Sequence, residues 1–123
     1  KINLNYQINL KGLPKINETI SITSYRIIQE CLTNITRHAK AKNVDIHINY
    51  IKKNKSMRMI GIEVVDDGVG FNKSHRDGFG LSGMRERINE IDGKINITSN
   101  VNQGVQLNIQ LPITRKNNHR ISG

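Results

Sequence analysis

Apolar and polar residues alternate along several stretches of the chain, which is the pattern of strands with one buried face. The longer stretches are residues 2–10, 44–50, 60–64 and 105–111, and residues 95–98 form a shorter one. The polar residues 52–56 predict a hairpin turn between the second and third strands, and the last two strands predict a closing hairpin. Alternation of this kind predicts a sheet with helices on one face and solvent on the other.

Two stretches instead carry apolar residues at three- and four-residue steps, the spacing of amphipathic helices. The apolar stripe of the first comprises Ile28, Leu32, Ile35 and Ala39. The predicted N-terminal caps of this helix are Thr23 or Ser24, with Asn17 and Thr19 as alternatives. The second helix, over residues 84–91, is predicted to end at Gly93. Together, the strands and helices predict a two-layer α/β sandwich.

Length and composition restrict the class of protein. The 123 residues suffice for one domain with a core, which we place at residues 1–113, followed by a polar tail at 114–123. No apolar run approaches the length of a membrane span, and the N-terminus lacks the apolar core of a signal peptide, so we expect a soluble chain. The single cysteine, Cys31, excludes an internal disulfide framework and is predicted to be a small core residue.

The charge balance suits a polyanionic ligand. There are 19 basic and 10 acidic residues, a net charge of +9, which would attract a nucleic acid or a nucleoside triphosphate. Trp is absent and aromatic residues make up 4% of the chain, so a base-stacking platform for nucleic acid is hard to build. Because a scattered, solvated lysine surface explains the charge equally well, the charge alone identifies no ligand.

The first predicted helix has a polar face as well as an apolar one. Glu30, Asn34 and His38 are four residues apart and therefore lie along one face, with Arg37 beside them. An ordinary solvated helix face would have the same pattern. The helix alone is therefore a weak indication of a binding site.

A second polar segment follows the third strand. Residues 66–70 read Asp-Asp-Gly-Val-Gly, which resembles a tight hairpin turn. A hairpin should continue into another alternating strand, however, and the polar residues 72–77 do not alternate. A loop that makes room for a ligand fits better. In it Asp66 could accept a hydrogen bond from an exocyclic amine, and the glycines would let backbone approach a flat ring.

A third segment, Gly-Phe-Gly-Leu-Ser-Gly at residues 78–83, precedes the second helix. Glycines before a helix N-terminus expose backbone N–H groups that can bind phosphate. The segment is not a P-loop, because no Gly-Lys-Ser/Thr follows, and it lacks the third glycine and the distal acidic residue of a dinucleotide-binding motif.

In this order and spacing, the three segments resemble the ATP-binding domain of sensor histidine kinases, within the superfamily that includes gyrase, Hsp90 and MutL. Residues 25–39 match the family's N box, residues 66–71 its G1 box and residues 78–87 its G2 box. The Gln-Glu pair at 29–30 and the Gly-Met-Arg-Glu-Arg run at 83–87 are most similar to the branch that signals to NarL-type response regulators. The resemblance covers residues 2–112 and implies an α+β fold of Bergerat type, with a mixed, mostly antiparallel sheet.

The resemblance also implies roles for individual residues. Asn34 would bind Mg²⁺ through its amide oxygen, and Glu30 would assist proton transfer or hold a metal-bound water. Asp66 would accept a hydrogen bond from the adenine amine. The other implied nucleotide contacts are Arg37, His38, Gly68, Gly70, Lys73, Gly78, Gly80 and Leu81.

The implied function is transfer of the γ-phosphate of ATP to a histidine on a separate dimerisation domain outside this chain, and from there to a NarL-type response regulator. We expect ATP and Mg²⁺ as cofactors and no direct nucleic acid partner. We also expect a position on the cytoplasmic side of a membrane that anchors the full-length protein. An anti-sigma-factor-type serine kinase of the same fold is one alternative.

A nucleic-acid-binding domain is the last alternative, and a catalytically weakened, nucleotide-responsive interaction module is the second. The module is suggested by Val105, which follows Gly104 where members of the family usually carry Thr. That hydroxyl helps a water bridge the adenine and the carboxylate at Asp66. Its loss should remove roughly one hydrogen bond, about 0.5–1.5 kcal/mol.

Overall fold

Five strands and two helices make up the part of the chain that the computed structural model describes, namely residues 2–36, 40–68, 81–99 and 104–113. In chain order they are β1 (Asn3–Asn9), α1 (Glu18–Asn34), β2 (Asn43–Lys52), β3 (Arg58–Asp66), α2 (Leu81–Glu90), β4 (Lys94–Ser99) and β5 (Val105–Pro112). The predicted strands and both predicted helices are therefore confirmed, with ends that differ by a few residues.

The strands form one sheet in the order β1-β2-β3-β5-β4. β1 and β2 are parallel, and the other three pairs are antiparallel. This confirms a mixed, mostly antiparallel sheet, including the hairpin between β2 and β3 and the closing hairpin of β4 and β5. β3 lies at the centre, so its C-terminal end is flanked by two strands.

Both helices cover the same face of the sheet. The buried positions of β3 and β5 alternate with half-buried or exposed ones, as the period of two predicts. The inward-facing side chains of these strands pack with Ile27 and Cys31 of α1 and with Met84 and Ile88 of α2 in a single core. Cys31 is 1% exposed, which confirms it as a core residue, and burial raises the pKa of its thiol to about 12.

α1 differs from its prediction at its start and in its buried face. Asn17 is the N-cap, and its side chain accepts a hydrogen bond from the Ile20 backbone N–H at 2.9 Å. The preferred caps Thr23 and Ser24 were wrong, and Ser24 instead donates to the Ile20 carbonyl. The most buried residues of the helix are Ile20, Ile27 and Cys31. Of the predicted stripe, Ile35 is buried, Ile28 and Leu32 are only partly buried, and Ala39 lies outside the described residues.

β1 differs from its prediction in burial. The strand forms, but all seven of its residues are exposed, so the expectation of a half-buried strand was wrong. The reason is its place at the edge of the sheet, where the helices provide no cover. Neither described helix has the length and apolar character that crossing a membrane requires.

Candidate functional site

The described parts of the three predicted segments lie toward one end of the sheet. Asp66 is the last residue of β3 and lies opposite Val44, near the start of β2, and Val105, the first residue of β5. α1 ends at Asn34, ten residues before Val44 enters the pairing with β3, so its C-terminal end lies near this end of the sheet. α2 leads into the far end of β4, so its N-terminal end lies near Asp66.

Asp66 is a buried carboxylate held by backbone. It is 4% exposed and accepts a hydrogen bond from the Gly68 backbone N–H at 2.8 Å. Burial raises the pKa of Asp66, and hydrogen bonds from the backbone of Gly68 and Val105 act in the opposite direction. Two backbone donors fix the orientation of the carboxylate, which still has acceptor sites for an amine of a ligand.

Asp67 joins the end of β3 to the start of β2. Its carboxylate accepts from the backbone N–H groups of Lys42 and Asn43 and from the Asn43 side chain, each at 2.8 Å. These hydrogen bonds, led by those from Asn43, lower the pKa of the exposed Asp67 carboxyl. Asp67 thereby ties the chain just after Asp66 to the start of β2, where the connection from α1 ends.

Glu30 forms an ion pair across the two helices. Its Oε2 atom lies 2.8 Å from Nη1 of Arg87 on α2, and the two side chains are about one third exposed. Ion pairs that solvent reaches contribute about 0.2–1 kcal/mol to stability. Arg87 therefore adds little to stability, and its main effect is to orient the Glu30 carboxylate.

Asn34 shares the face of α1 that carries Glu30, because it lies one helical turn later. It is half-buried, and Glu30 on this face reaches α2, so the carboxamide lies on the side of α1 that faces the second helix. In the described ranges, no three His, Cys, Asp or Glu side chains come together as a metal site. A carboxamide near phosphate oxygens suits Mg²⁺, which usually takes one or two protein ligands together with substrate phosphates.

A small cavity opens beside Asp66. It measures about 180 Å³ and is lined by Ser99, Gly104 and Val105, among others. Its lining also includes Val65, Thr98 and Gln106, a cross-strand row on the solvent face of the sheet, so the notch does not by itself mark a nucleotide site. Gly104 permits the close packing here, because a Cβ on it would lie 2.1 Å from the Asp66 carbonyl oxygen.

The structure places some of the predicted site residues and not others. Glu30 and Asn34 lie in the C-terminal part of α1, Asp66 is the last residue of β3, and Gly68 follows it closely. Leu81 is the first residue of α2, but its side chain is outside the description. The remaining predicted contacts lie outside the described residues: Arg37, His38, Gly70, Lys73, Gly78 and Gly80.

Two residues of this region were missed by the sequence reasoning. Asp67 was read only as part of a glycine motif, although an Asp at a strand end commonly accepts backbone N–H groups. Arg87 belongs to the Gly-Met-Arg-Glu-Arg run, but its partner Glu30 is 57 residues away on another helix. No sequence spacing signals a contact between two separate helices.

Replacing Val105 by Thr is expected to tighten ATP binding about two- to tenfold, because a hydroxyl would be added beside the Asp66 carboxylate. The two residues are directly opposite in register, where cross-strand side chains approach to about 5 Å. Isothermal titration with an ATP analogue measures the change. Val64→Thr is the matched control, since Val64 is buried in the same core on β3 but lies opposite Leu107 rather than Asp66. An unchanged affinity for Val105→Thr would contradict the expectation.

The sequence is similar to a known family of ATPases and to several sensor histidine kinases. Residues 19–115 match the family model described as "Histidine kinase-, DNA gyrase B-, and HSP90-like ATPase". The chain is 34% identical over 116 residues to the oxygen sensor histidine kinase NreB of Staphylococcus carnosus, covering 92% of this chain and 32% of that protein. It is 39% identical over 93 residues to the sensor histidine kinase YdfH of Bacillus subtilis, covering 72% of this chain and 22% of that protein.

A solved structure has the same fold. The histidine kinase domain of the blue-light activated histidine kinase from Erythrobacter litoralis EL346 superposes with a TM-score of 0.72 at 19% identity, covering 95% of this chain and 54% of that one. The chain thus spans about a third or less of the length of the two curated relatives described above.

Proposed function

Because the chain belongs to the family of histidine kinase-, DNA gyrase B- and HSP90-like ATPases, we propose that it is the ATP-binding catalytic domain of a two-component sensor histidine kinase. The full-length protein would transfer the γ-phosphate of ATP to a histidine on separate dimerisation helices. A response regulator of the NarL type would then receive the phosphate. The similarity to NreB and YdfH, which are both named sensor histidine kinases, supports this reading.

The observation that carries the proposal is the buried carboxylate of Asp66. A carboxylate accepts a hydrogen bond from the exocyclic amine of adenine but cannot donate one, so it favours adenine over guanine. Its 4% exposure makes the interaction stronger than it would be in water. The two backbone donors hold the carboxylate in place before the ligand arrives, so little ordering cost remains on binding.

The other residues fall into two proposed groups. Asn34 would hold Mg²⁺, which when bound neutralises charge on the phosphates, and Glu30 would assist proton transfer or hold a metal-bound water. Gly68 would line the adenine pocket together with Gly70. The phosphates would meet the remaining proposed contacts, which are Arg37, His38, Lys73, Gly78, Gly80 and Leu81.

Phosphoryl transfer depends mostly on positioning and on charge stabilisation. Three of this chain's own features serve those needs. The backbone around Asp66 orients the adenine, the start of α2 offers backbone N–H groups to phosphate, and Arg87 orients Glu30. The net charge of +9 favours approach of an anionic nucleotide.

Replacing Asp66 by Asn is the direct test. ATP binding is expected to weaken about 10- to 100-fold, because a hydrogen bond to a charged acceptor contributes about 1.5–3 kcal/mol. Titration of the chain with a non-hydrolysable ATP analogue and Mg²⁺ measures the loss. Asp45→Asn, the same change on a half-buried residue of β2, is the matched control and should bind as the native chain does.

The outcomes separate the proposal from its alternatives. Native binding that Asp66→Asn does not weaken would overturn the adenine site. Binding that is intact, with no phosphate transfer by the full-length protein, would favour the catalytically weakened module that Val105 suggests. Phosphate found on a serine of a partner protein, stable in acid where phosphohistidine is labile, would identify the anti-sigma-factor-type kinase instead.

A further inference from the structure

β1 exposes a row of large apolar side chains at the edge of the sheet. Leu4, Tyr6 and Ile8 are 47%, 67% and 57% exposed. In the register with β2, Leu4 and Tyr6 lie beside the buried residues Val44 and Ile46. The row therefore lies on the helix-bearing face of the sheet, continuous with the core but beyond the cover of the helices.

The backbone N–H and C=O groups of Leu4, Tyr6 and Ile8 point away from β2, toward the open edge of the sheet. The Asn3 backbone N–H donates to the Lys42 carbonyl at 2.8 Å, so the odd-numbered residues of β1 bond to β2. Because successive residues direct their N–H and C=O groups to opposite edges of a strand, the groups of Leu4, Tyr6 and Ile8 face away from β2. Within the described residues, no strand pairs with this outer edge.

β1 also lacks the features that normally protect an edge strand. Soluble proteins block such edges with charged residues, proline or bulges. Residues 3–9 contain neither a charged residue nor proline, although 24% of the whole chain is charged. All seven are exposed. An edge with this composition is suited to pairing with another strand.

The order of residue types in β1 reads the same in both directions around Tyr6. If an identical strand paired with it antiparallel and centred there, every residue would meet one of its own type. The pairs would be Asn3 with Asn9, Leu4 with Ile8, Asn5 with Gln7, and Tyr6 with its own copy. Apolar side chains would meet on one face and amides on the other, which is the self-complementarity that a two-fold interface requires.

We propose that β1 is a homodimerisation edge through which two copies of the chain pair antiparallel, centred on Tyr6, into one continuous sheet. A second copy fits better than an unrelated segment because each residue type matches itself. No charges oppose each other within residues 3–9, although Lys1 would face Lys11 of the second copy just outside them. Pairing through one edge is smaller than a standard interface, so the dimer is expected to be weak and to strengthen with added salt.

A cysteine at position 6 tests the register. In an antiparallel pair whose residues exchange hydrogen bonds, the Cα atoms are about 5.5 Å apart, within the range that a disulfide spans. Cys31 is 1% exposed and its thiol has a pKa of about 12, so the new thiol would be the reactive one. Mild oxidation of Tyr6→Cys is expected to give a covalent dimer of twice 14.0 kDa.

Tyr25→Cys is the matched control. Tyr25 lies on α1 and is 66% exposed, so chance collisions would join it as readily as position 6. In the otherwise native chain, sedimentation equilibrium should show a mass that rises with concentration, and Tyr6→Lys should abolish the rise by placing two like charges opposite each other. A native chain that stays monomeric up to about 1 mM in high salt would overturn the proposal. Equal cross-linking at positions 6 and 25 would overturn it too. Any strand that pairs with β1 would then have a different sequence.

Discussion

Replacing Glu30 by Gln in the full-length protein is expected to slow phosphoryl transfer from ATP about 10²- to 10⁴-fold, the usual contribution of a general acid or base. Gln has the same shape but cannot take up a proton. Nucleotide binding should remain close to native, because the adenine is proposed to contact Asp66 and not Glu30. Transfer of labelled γ-phosphate, measured beside analogue binding, separates the two effects.

The ion pair of Glu30 with Arg87 requires its own control. Arg87→Gln breaks the 2.8 Å contact but leaves the carboxylate in place. If Arg87 orients the carboxylate, this variant should also lose transfer rate, though less than Glu30→Gln. Unfolding free energy should change by no more than about 1 kcal/mol in either variant, since the pair is partly exposed. Native transfer rates in Glu30→Gln would remove Glu30 from the proposed mechanism.

The central strands could be predicted from sequence because their burial has a local cause. β2, β3 and β5 each have a helix-covered face and a solvent face, so a period of two appears in the residues themselves. The same period in β1 predicted half-burial, and the structure shows full exposure. Whether an apolar face is covered depends on where the helices lie, which alternation within one strand does not encode.

The helix shows a finer limit of the same reasoning. The predicted buried stripe of α1 was Ile28, Leu32, Ile35 and Ala39. Ile35 is buried, but Ile28 and Leu32 are less buried than their neighbours Ile27 and Cys31. Both sets recur at four-residue steps, and they differ by one residue, about 100° around the helix axis. With apolar residues at both positions, the choice is made by packing against the sheet rather than by the pattern.

Part of the candidate site could be proposed from residue type and position alone. Asp66 was identified because a carboxylate at a strand end, followed by glycines and no further strand, favours a ligand loop over a hairpin. The pair of Glu30 and Arg87 could not be identified, because it depends on how α1 and α2 pack. Asp67 lies between these cases: its partners Lys42 and Asn43 are at the start of the neighbouring strand β2, so the strand order had to be known first.

Replacing Gly104 by Ala is expected to lower the free energy of unfolding by about 4 kcal/mol or more. Losses this large are exceptional for a single substitution and come from strain or overpacking of buried atoms. Gly104 has a φ of +79°, which L side chains rarely adopt, and a Cβ there would lie 2.1 Å from the Asp66 carbonyl oxygen and 3.3 Å from the Asp67 Cα. These atoms are backbone and cannot rotate away, so β3 and β5 would have to separate where Asp66 is held. Urea unfolding midpoints measure the loss.

Gly83→Ala is the matched control, and it should change stability in the opposite direction. Gly83 lies within α2, and a Cβ on it would meet nothing within 4 Å. Ala there should stabilise the helix by about 0.5–1 kcal/mol. Similar midpoints for the two variants would show that the close approach of Gly104 to Asp66 does not hold this end of the sheet together. If the expected contrast is found, Gly104→Ala should also lose ATP affinity, because separating β3 from β5 removes the Val105 backbone hydrogen bond that orients the Asp66 carboxylate.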